Sequence, residues 1–346
     1  MSKSAPPAYR ALALQTNCRS IHDVGDCDAA SDHMAASIER LDRQIRSSTA
    51  FIGSDCRLVV LPEYVLTGFP MGTSLEEWGE TVAVSPDGPE YELLGEIAAD
   101  NDIFLAGNVY ERPPNFPDLF FQTDFVIDPD GDVILRYHRL HSMHTPTPFD
   151  VWDEYLEHHD REDVFPVVDT EIGRLATVAS AEILYPELVR CLAMRGAEVL
   201  VHPTSEPYAT RPTARDVARR ARAIENGMYV VSANTAEIVG SPFPSASGDG
   251  GSTIVDYRGS VLTEAGQGET MSTFTELDLS ALRRHRRRPR LENTLPDQRF
   301  DLYAESYRDR EFYRPNALAD GPVTRERLAA ARADTVDRLV ETGVFR

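Results

Sequence analysis

The chain has 346 residues, 42% of them hydrophobic and 26% charged. It is long enough to bury one large core or two ordinary ones, and its composition excludes a disordered, collagen-like or small disulfide-stapled protein. Lysine and arginine total 35 against 56 acids, a net charge of −21. Such a surface repels polyphosphate and anionic lipid, which points to a small-molecule partner rather than nucleic acid or membrane. Only one of the cations, Lys3, is a lysine, so chemistry that needs a buried amine has almost no source for it.

No run approaches the roughly 18 apolar residues of a membrane span, and the first ten residues lack the apolar middle of a secretory leader. The expected location is cytoplasmic. Four cysteines without a CxxC pair argue against a structural zinc site and read as free thiols, mostly buried. In chain order, the pattern predicts a strand at 11–15, a helix at 31–47, a strand at 57–61, a helix at 90–101 and a strand at 103–109. Strands at 120–127 and 133–137 flank Asp128-Pro129-Asp130-Gly131-Asp132, a hairpin signal. A strand at 175–179, a helix at 186–194, a strand at 199–202, a helix at 213–226 and a strand at 229–233 follow. A second hairpin is expected over 252–262, turning at Tyr257-Arg258-Gly259.

This alternation is that of an α/β protein. It gives one domain over residues 1–282 and an arginine-rich extension over 283–346 that ends in a helix near 325–341. So short an extension cannot form much core alone and is expected to pack on the domain or on a neighbouring subunit.

Three segments place polar residues where apolar strands end, the usual position of a site in an α/β fold. Glu63, in Leu61-Pro62-Glu63-Tyr64, follows a buried strand and suits general-base work. Arg139 lies in Arg136-Tyr137-His138-Arg139-Leu140-His141 at the end of the first hairpin. Ser180 stands at a strand-to-helix elbow, Ala179-Ser180-Ala181-Glu182-Ile183-Leu184-Tyr185-Pro186-Glu187, where a nucleophile would face backbone donors.

In this order the segments resemble the nitrilase superfamily of carbon-nitrogen hydrolases. Further matches are Gly196-Ala197-Glu198, Arg222-Ala223-Ile224-Glu225-Asn226, Gly251-Ser252-Thr253 and Arg299-Phe300-Asp301-Leu302-Tyr303. The resemblance implies a four-layer αββα sandwich, a homodimer or larger homo-oligomer, no cofactor and no metal. It also implies a glutamate base, a lysine that stabilises the tetrahedral intermediate and a cysteine nucleophile. Glu63 matches the glutamate. Arg139 stands in the lysine position and Ser180 in the cysteine position. Arginine keeps the charge but is longer and planar, whereas a serine hydroxyl ionises far less readily than a thiol. For the family's second carboxylate the candidates are Glu154 and Glu157. Glu182, Tyr185 and His141 complete the expected substrate-binding set.

The sequence thus supports a divergent hydrolase of a small amide, nitrile or carbamoyl compound working through Glu63, Arg139 and Ser180. The alternative is a catalytically inactive relative that binds a small acid or amide or serves as a partner subunit. His138, His141 and His144, spaced by three, fall in a proline-broken loop and are not expected to bind metal. The run Arg283 to Arg290 is expected to pair with acids at a subunit contact rather than with nucleic acid.

Overall fold

The structure, a computed structural model, describes residues 7–346 except 208, 249 and 309; Lys3 lies outside the described residues. The elements are β1 (Tyr9–Ala13), β2 (Cys18–Arg19), α1 (Cys27–Ile52), β3 (Cys56–Val60), α2 (Leu75–Val82), α3 (Pro89–Asn101), β4 (Phe104–Glu111), β5 (Phe121–Ile127) and β6 (Val133–His138). Then come α4 (Trp152–His158), β7 (Val168–Thr170), β8 (Gly173–Thr177), α5 (Pro186–Met194), β9 (Val199–Thr204), α6 (Ala214–Asn226) and β10 (Tyr229–Asn234). The last are β11 (Ile238–Val239), β12 (Thr253–Val255), β13 (Val261–Glu264), β14 (Phe274–Leu277), α7 (Leu279–Arg286), α8 (Phe300–Tyr307) and α9 (Arg325–Glu341).

Two six-stranded sheets form, in the orders β14-β1-β3-β4-β5-β6 and β13-β12-β10-β9-β8-β7, while β2 and β11 pair separately. The centre of each sheet is parallel, β1-β3-β4 in one and β8-β9-β10 in the other, and antiparallel strands close the edges. Period-two alternation builds the layers. Ala11 and Ala13 of β1 and Leu58 and Val60 of β3 meet Leu175, Val199, Val201 and Val231 of the other sheet. Leu12, Val59 and Leu105 turn the opposite way, onto Ile38, Leu41 and Ile45 of α1 and Leu94 and Ile97 of α3. On the far side Ala176, Leu200 and Val230 pack on Leu188, Val189 and Leu192 of α5 and Ala218 and Ala223 of α6. The result is the expected αββα sandwich.

Local signals explain the boundaries. Both hairpins turn on an aspartate whose side chain accepts two backbone amides: Asp128 from Asp130 and Asp132, Asp256 from Arg258 and Ser260. Gly131 and Gly259, at φ 89° and 77°, supply the left-handed residue in each turn. Helix α1 begins before residue 31 because Asp26 caps it, accepting from the Ala29 amide. Helix α9 spans the expected residues, with Thr324 as its cap. The short helices α2, α7 and α8 escaped the periodicity reading, being eight residues each. All four cysteines are free; Cys18 and Cys56 are buried, Cys191 is half-buried and Cys27 is exposed.

Past α7 the chain returns to its own domain. Leu318 and Leu328 are buried against Trp78, Tyr110, Phe116 and Tyr155. The Asn316 and Leu318 amides donate to the carbonyls of Phe149 and Asp150. Two residues of the arginine run bond within the chain: Arg283 makes two bonds to Glu198, at 2.6 and 2.8 Å, and Arg286 donates to the Gly227 and Ala197 carbonyls. Within this chain Arg283 and Arg286 close α7 onto the second sheet, while Arg284, Arg287, Arg288 and Arg290 are exposed. Replacing Leu328 by alanine empties a closed site and is expected to cost about 2–4 kcal/mol in chemical denaturation; an unchanged midpoint would show that α9 is not docked as described.

Candidate active site

The site is assembled where strands of both sheets end. After β3 the chain turns sharply, with Tyr64 at φ 38° and its carbonyl accepting from the Thr67 and Gly68 amides, which leaves Glu63 buried between the sheets. Glu63 Oε1 accepts from Arg139 Nη1 at 2.9 Å and from Gln122 Nε2 at 2.8 Å, and Oε2 accepts from the Ser205 amide at 3.0 Å. Arg139 Nη1 also donates to Gln122 Oε1 at 2.5 Å, and its Nε donates to the His141 carbonyl at 2.8 Å. Burial works against the Arg139 charge, but Glu63 and Glu182 outweigh it, and the guanidinium is held above its ordinary value. Nη2 makes no hydrogen bond among the described residues, so a charged donor remains for an incoming oxygen.

Ser180 follows β8 in the left-handed region, at φ 50°. A non-glycine residue held there is strained, and such strain concentrates at functional sites. Neither the short turn Ser180–Leu184 nor α5 takes a side-chain cap, so the serine is not there to cap a helix. Its carbonyl is pinned instead by His202 Nε2 at 2.8 Å, while His202 Nδ1 meets Ser232 Oγ at 2.8 Å. Burial first, then the charge of Arg219, drives the His202 imidazole well below its ordinary 6.5, so it is neutral and donates to Ser180 from a fixed tautomer.

Glu182, expected to bind substrate, has another task. Its Oε1 accepts from the Tyr137 hydroxyl and the Leu140 and His141 amides, at 2.8, 2.8 and 2.9 Å, and Oε2 accepts from the Ala179 amide at 3.1 Å. One fully buried carboxylate therefore ties the strand end that carries Arg139 to the elbow that carries Ser180. His141 and Tyr185 stack beside it, ring centroids 3.9 Å apart; Tyr185 is exposed.

Glu154 and Glu157 are not brought in. Both are exposed on α4, and no hydrogen bond or ion pair joins them to Glu63, Arg139 or Ser180 among the described residues. Helix α4 turns Trp152 and Tyr155 into the core, which leaves the two glutamates on its solvent side; Asn316 Oδ1 accepts from the Asp153 amide and the Tyr313 hydroxyl donates to Asp150 at 2.6 Å. The three histidines also diverge. His138 faces Tyr155 and Glu111, His141 faces Tyr185, and His144 lies in the field of Arg139 and of Arg332 and Arg325 from α9. Among the described residues no group of three or more histidines, cysteines or acids is placed to hold a metal.

Residues missed from the sequence are Gln122, which grips both Glu63 and Arg139, and Asn108, whose Oδ1 accepts from the Tyr64 amide at 3.1 Å and from Gln122. Arg215 of α6 is a third, 3.8 Å from Glu206 and felt electrostatically by Glu63 and Arg139. One signal was visible: Gln122, Thr123 and Asp124 are three consecutive polar residues inside a strand whose other residues are apolar.

Stacked sheets whose strand ends present a carboxylate, a guanidinium and an elbow hydroxyl define a nitrilase-like sandwich. The chain belongs to the carbon-nitrogen hydrolase family, whose model matches residues 28–287. It is 25% identical over 257 residues to omega-amidase NIT3 of Saccharomyces cerevisiae, covering 72% of this chain and 84% of that protein. With omega-amidase NIT2 of Mus musculus it shares 28% over 247 residues, 71% of this chain and 84% of that one. The crystal structure of S. cerevisiae Nit3, a member of branch 10 of the nitrilase superfamily, superposes with a TM-score of 0.66 at 23% identity, over 84% of this chain and 97% of that one. An amidase of Nesterenkonia sp. AN1, with the acetamide moiety of fluoroacetamide covalently added at its active-site cysteine, gives 0.61 at 20%, over 88% and 98%. At these identities the two structures establish the fold.

The state of His202 makes stability depend on pH. Below about 6.5 the unfolded chain takes up a proton there that the folded chain refuses, so stability present above that value is lost as the pH falls. His202→Gln, which cannot titrate, is expected to have a shallower fall in denaturation free energy between pH 6.5 and 5 than the parent. Parallel curves would show that His202 is not buried in the neutral form.

Proposed function

We propose that this chain hydrolyses the carbon–nitrogen bond of a small amide, nitrile or carbamoyl compound, with Glu63 as base, Arg139 as anion stabiliser and Ser180 as nucleophile. The observation that carries the reading is the left-handed elbow at Ser180, clipped through Glu182 to the strand end of a guanidinium with one donor still free. For an amide, Glu63 takes the Ser180 hydroxyl proton as Oγ bonds to the carbonyl carbon. The negative charge passes to the carbonyl oxygen, where Arg139 Nη2 donates to it. Collapse breaks the C–N bond, the proton returns from Glu63 to the leaving amine, and water then hydrolyses the ester to free the acid and the serine.

No cofactor enters these steps. The net charge of −21 supports a small-molecule substrate rather than a nucleic acid or a membrane surface, and a cytoplasmic homodimer or larger homo-oligomer completes the reading. Among the described residues no helix is long and apolar enough to cross a membrane. The omega-amidases among the relatives support an amide bond at the end of a small molecule as the first class to test.

A second reading is favoured by the ion pair itself. Glu63 is already satisfied by Arg139, Gln122 and Ser205, and a serine needs a base that is free to act. On this reading the protein binds a small acid or amide without turning it over, or serves a partner subunit.

Ammonia release from a panel of amides, nitriles and carbamoyl compounds decides between them. The first reading expects turnover that falls at least about 100-fold in Ser180→Ala, together with a mass-detected acyl adduct on Ser180. A flat panel with no adduct contradicts it. The double change Ser180→Cys with Arg139→Lys gives the second check. On the first reading it abolishes the parent's activity, because the arginine and serine work together; hydrolysis that appears only in the double variant marks the parent as a hydrolase that has lost its reaction.

A further inference from the structure

The wall behind Glu63 contains a carboxyl group that the proposed steps do not use. In β5, Val126 faces the inter-sheet core while Phe125 faces α3, so Gln122 and Asp124 also point between the sheets. Asp124 is fully buried. Its neighbours across the ladder are Asn108 on β4 and Tyr137 on β6. Asn108 Nδ2 donates to Asp124 Oδ1 at 2.7 Å, and Thr177 Oγ1, from β8 of the other sheet, lies 2.5 Å from Asp124 Oδ2. No ion pair joins Asp124 to a cation among the described residues. From Asn108 the chain of bonds continues to the Tyr64 amide and to Gln122, and from Gln122 to both Glu63 and Arg139. A single connected network thus runs from the second sheet, through Asp124, to the backbone and side chain of the glutamate and to the guanidinium beside it.

We propose that Asp124 is a positioning residue: through Asn108 and Gln122 it sets where the Glu63–Arg139 pair sits, and its ionisation displaces that pair. The proposal rests on the reading above only in so far as it concerns turnover. A hydrogen-bond network in a buried site transmits a change of charge at one member to the others. The charged and titratable groups that face Asp124 are Glu182 and Glu63, together with Tyr137 and Arg139, each of which feels it electrostatically. Burial, with the repulsion of Glu182 and Glu63, raises the Asp124 carboxyl to about 8 against the opposing bonds from Thr177 and Asn108. At neutral pH it is mostly uncharged, and the pair sees a neutral wall. Above about 8 a third carboxylate appears behind Glu63, repelling it and drawing Arg139 away from it.

Carbon-detected NMR of the full-length chain between pH 6 and 9.5 tests this. The Asp124 carboxyl carbon is assigned by its loss in Asp124→Asn, and the Arg139 Cζ by its loss in Arg139→Lys. The expected result is that both signals move with one midpoint near 8, and that the Arg139 signal stays fixed in Asp124→Asn. Thr177→Val keeps the carboxyl and its link to Asn108 but removes the bond that favours ionisation, so both midpoints are expected to move up together. An Arg139 signal that stays fixed while Asp124 titrates, or that still moves in Asp124→Asn, overturns the proposal. So does an Asp124 that stays ionised across the range. These signals need no substrate, so their failure is distinct from a flat amide panel. Where the panel does show turnover, its alkaline fall near pH 8 is expected to vanish in Asp124→Asn, and a fall that persists also overturns the proposal.

Discussion

Everything at the site depends on how the ends of two different sheets are held together, and the Glu182 carboxylate holds them. It is fully buried, and its four donors come from Tyr137, Leu140, His141 and Ala179. A carboxylate taken out of water is costly unless its lone pairs are satisfied, and here donors from the first sheet's last strand and from the second sheet's elbow satisfy it jointly. Neither loop can shift without stranding a buried charge. That constraint ties the segment after Arg139 to the elbow that carries Ser180, 41 residues apart by number.

The guanidinium of Arg139 sets the balance of charge and space beside Glu63. A lysine offers a compact charge on a flexible stem, whereas a guanidinium has fixed directions and several donors. Here Nη1 is shared between Glu63 and Gln122, and Nε is anchored on the His141 carbonyl, which leaves Nη2 as the donor with a direction to spare. The larger polar side chains around it belong to the same arrangement. Gln122 reaches both members of the pair, Asn108 braces Gln122, and Asp124 joins Asn108 to Thr177 of the other sheet.

Much of the sandwich was legible in the sequence because alternation and turn chemistry are local. The two aspartate-headed hairpins and the capped helix α9 each carry their own signal within a few residues. The placement of Glu63, Arg139 and Ser180 was legible for a similar reason, each being a polar residue just past a strand. What could not be read depends on contacts between distant positions. The bonds of Asp150 and Asp153 at the start of α4 are made to Tyr313 and Asn316, about 160 residues downstream. The clip formed by Glu182 appears only once the two sheets are stacked. The pairing of Arg283 with Glu198 likewise appears only in the folded chain, because nothing in its own segment shows that Glu198 lies beneath it.

The most direct measurement is a crystal structure of the Ser180→Ala variant soaked with a small primary amide that the parent turns over or, failing that, binds. The account predicts the amide oxygen within hydrogen-bond distance of Arg139 Nη2, the carbonyl carbon facing the vacated position of the serine oxygen, and the Glu63–Arg139 pair intact. An amide seated away from Arg139, or a site whose guanidinium stays turned from the bound oxygen, would contradict it.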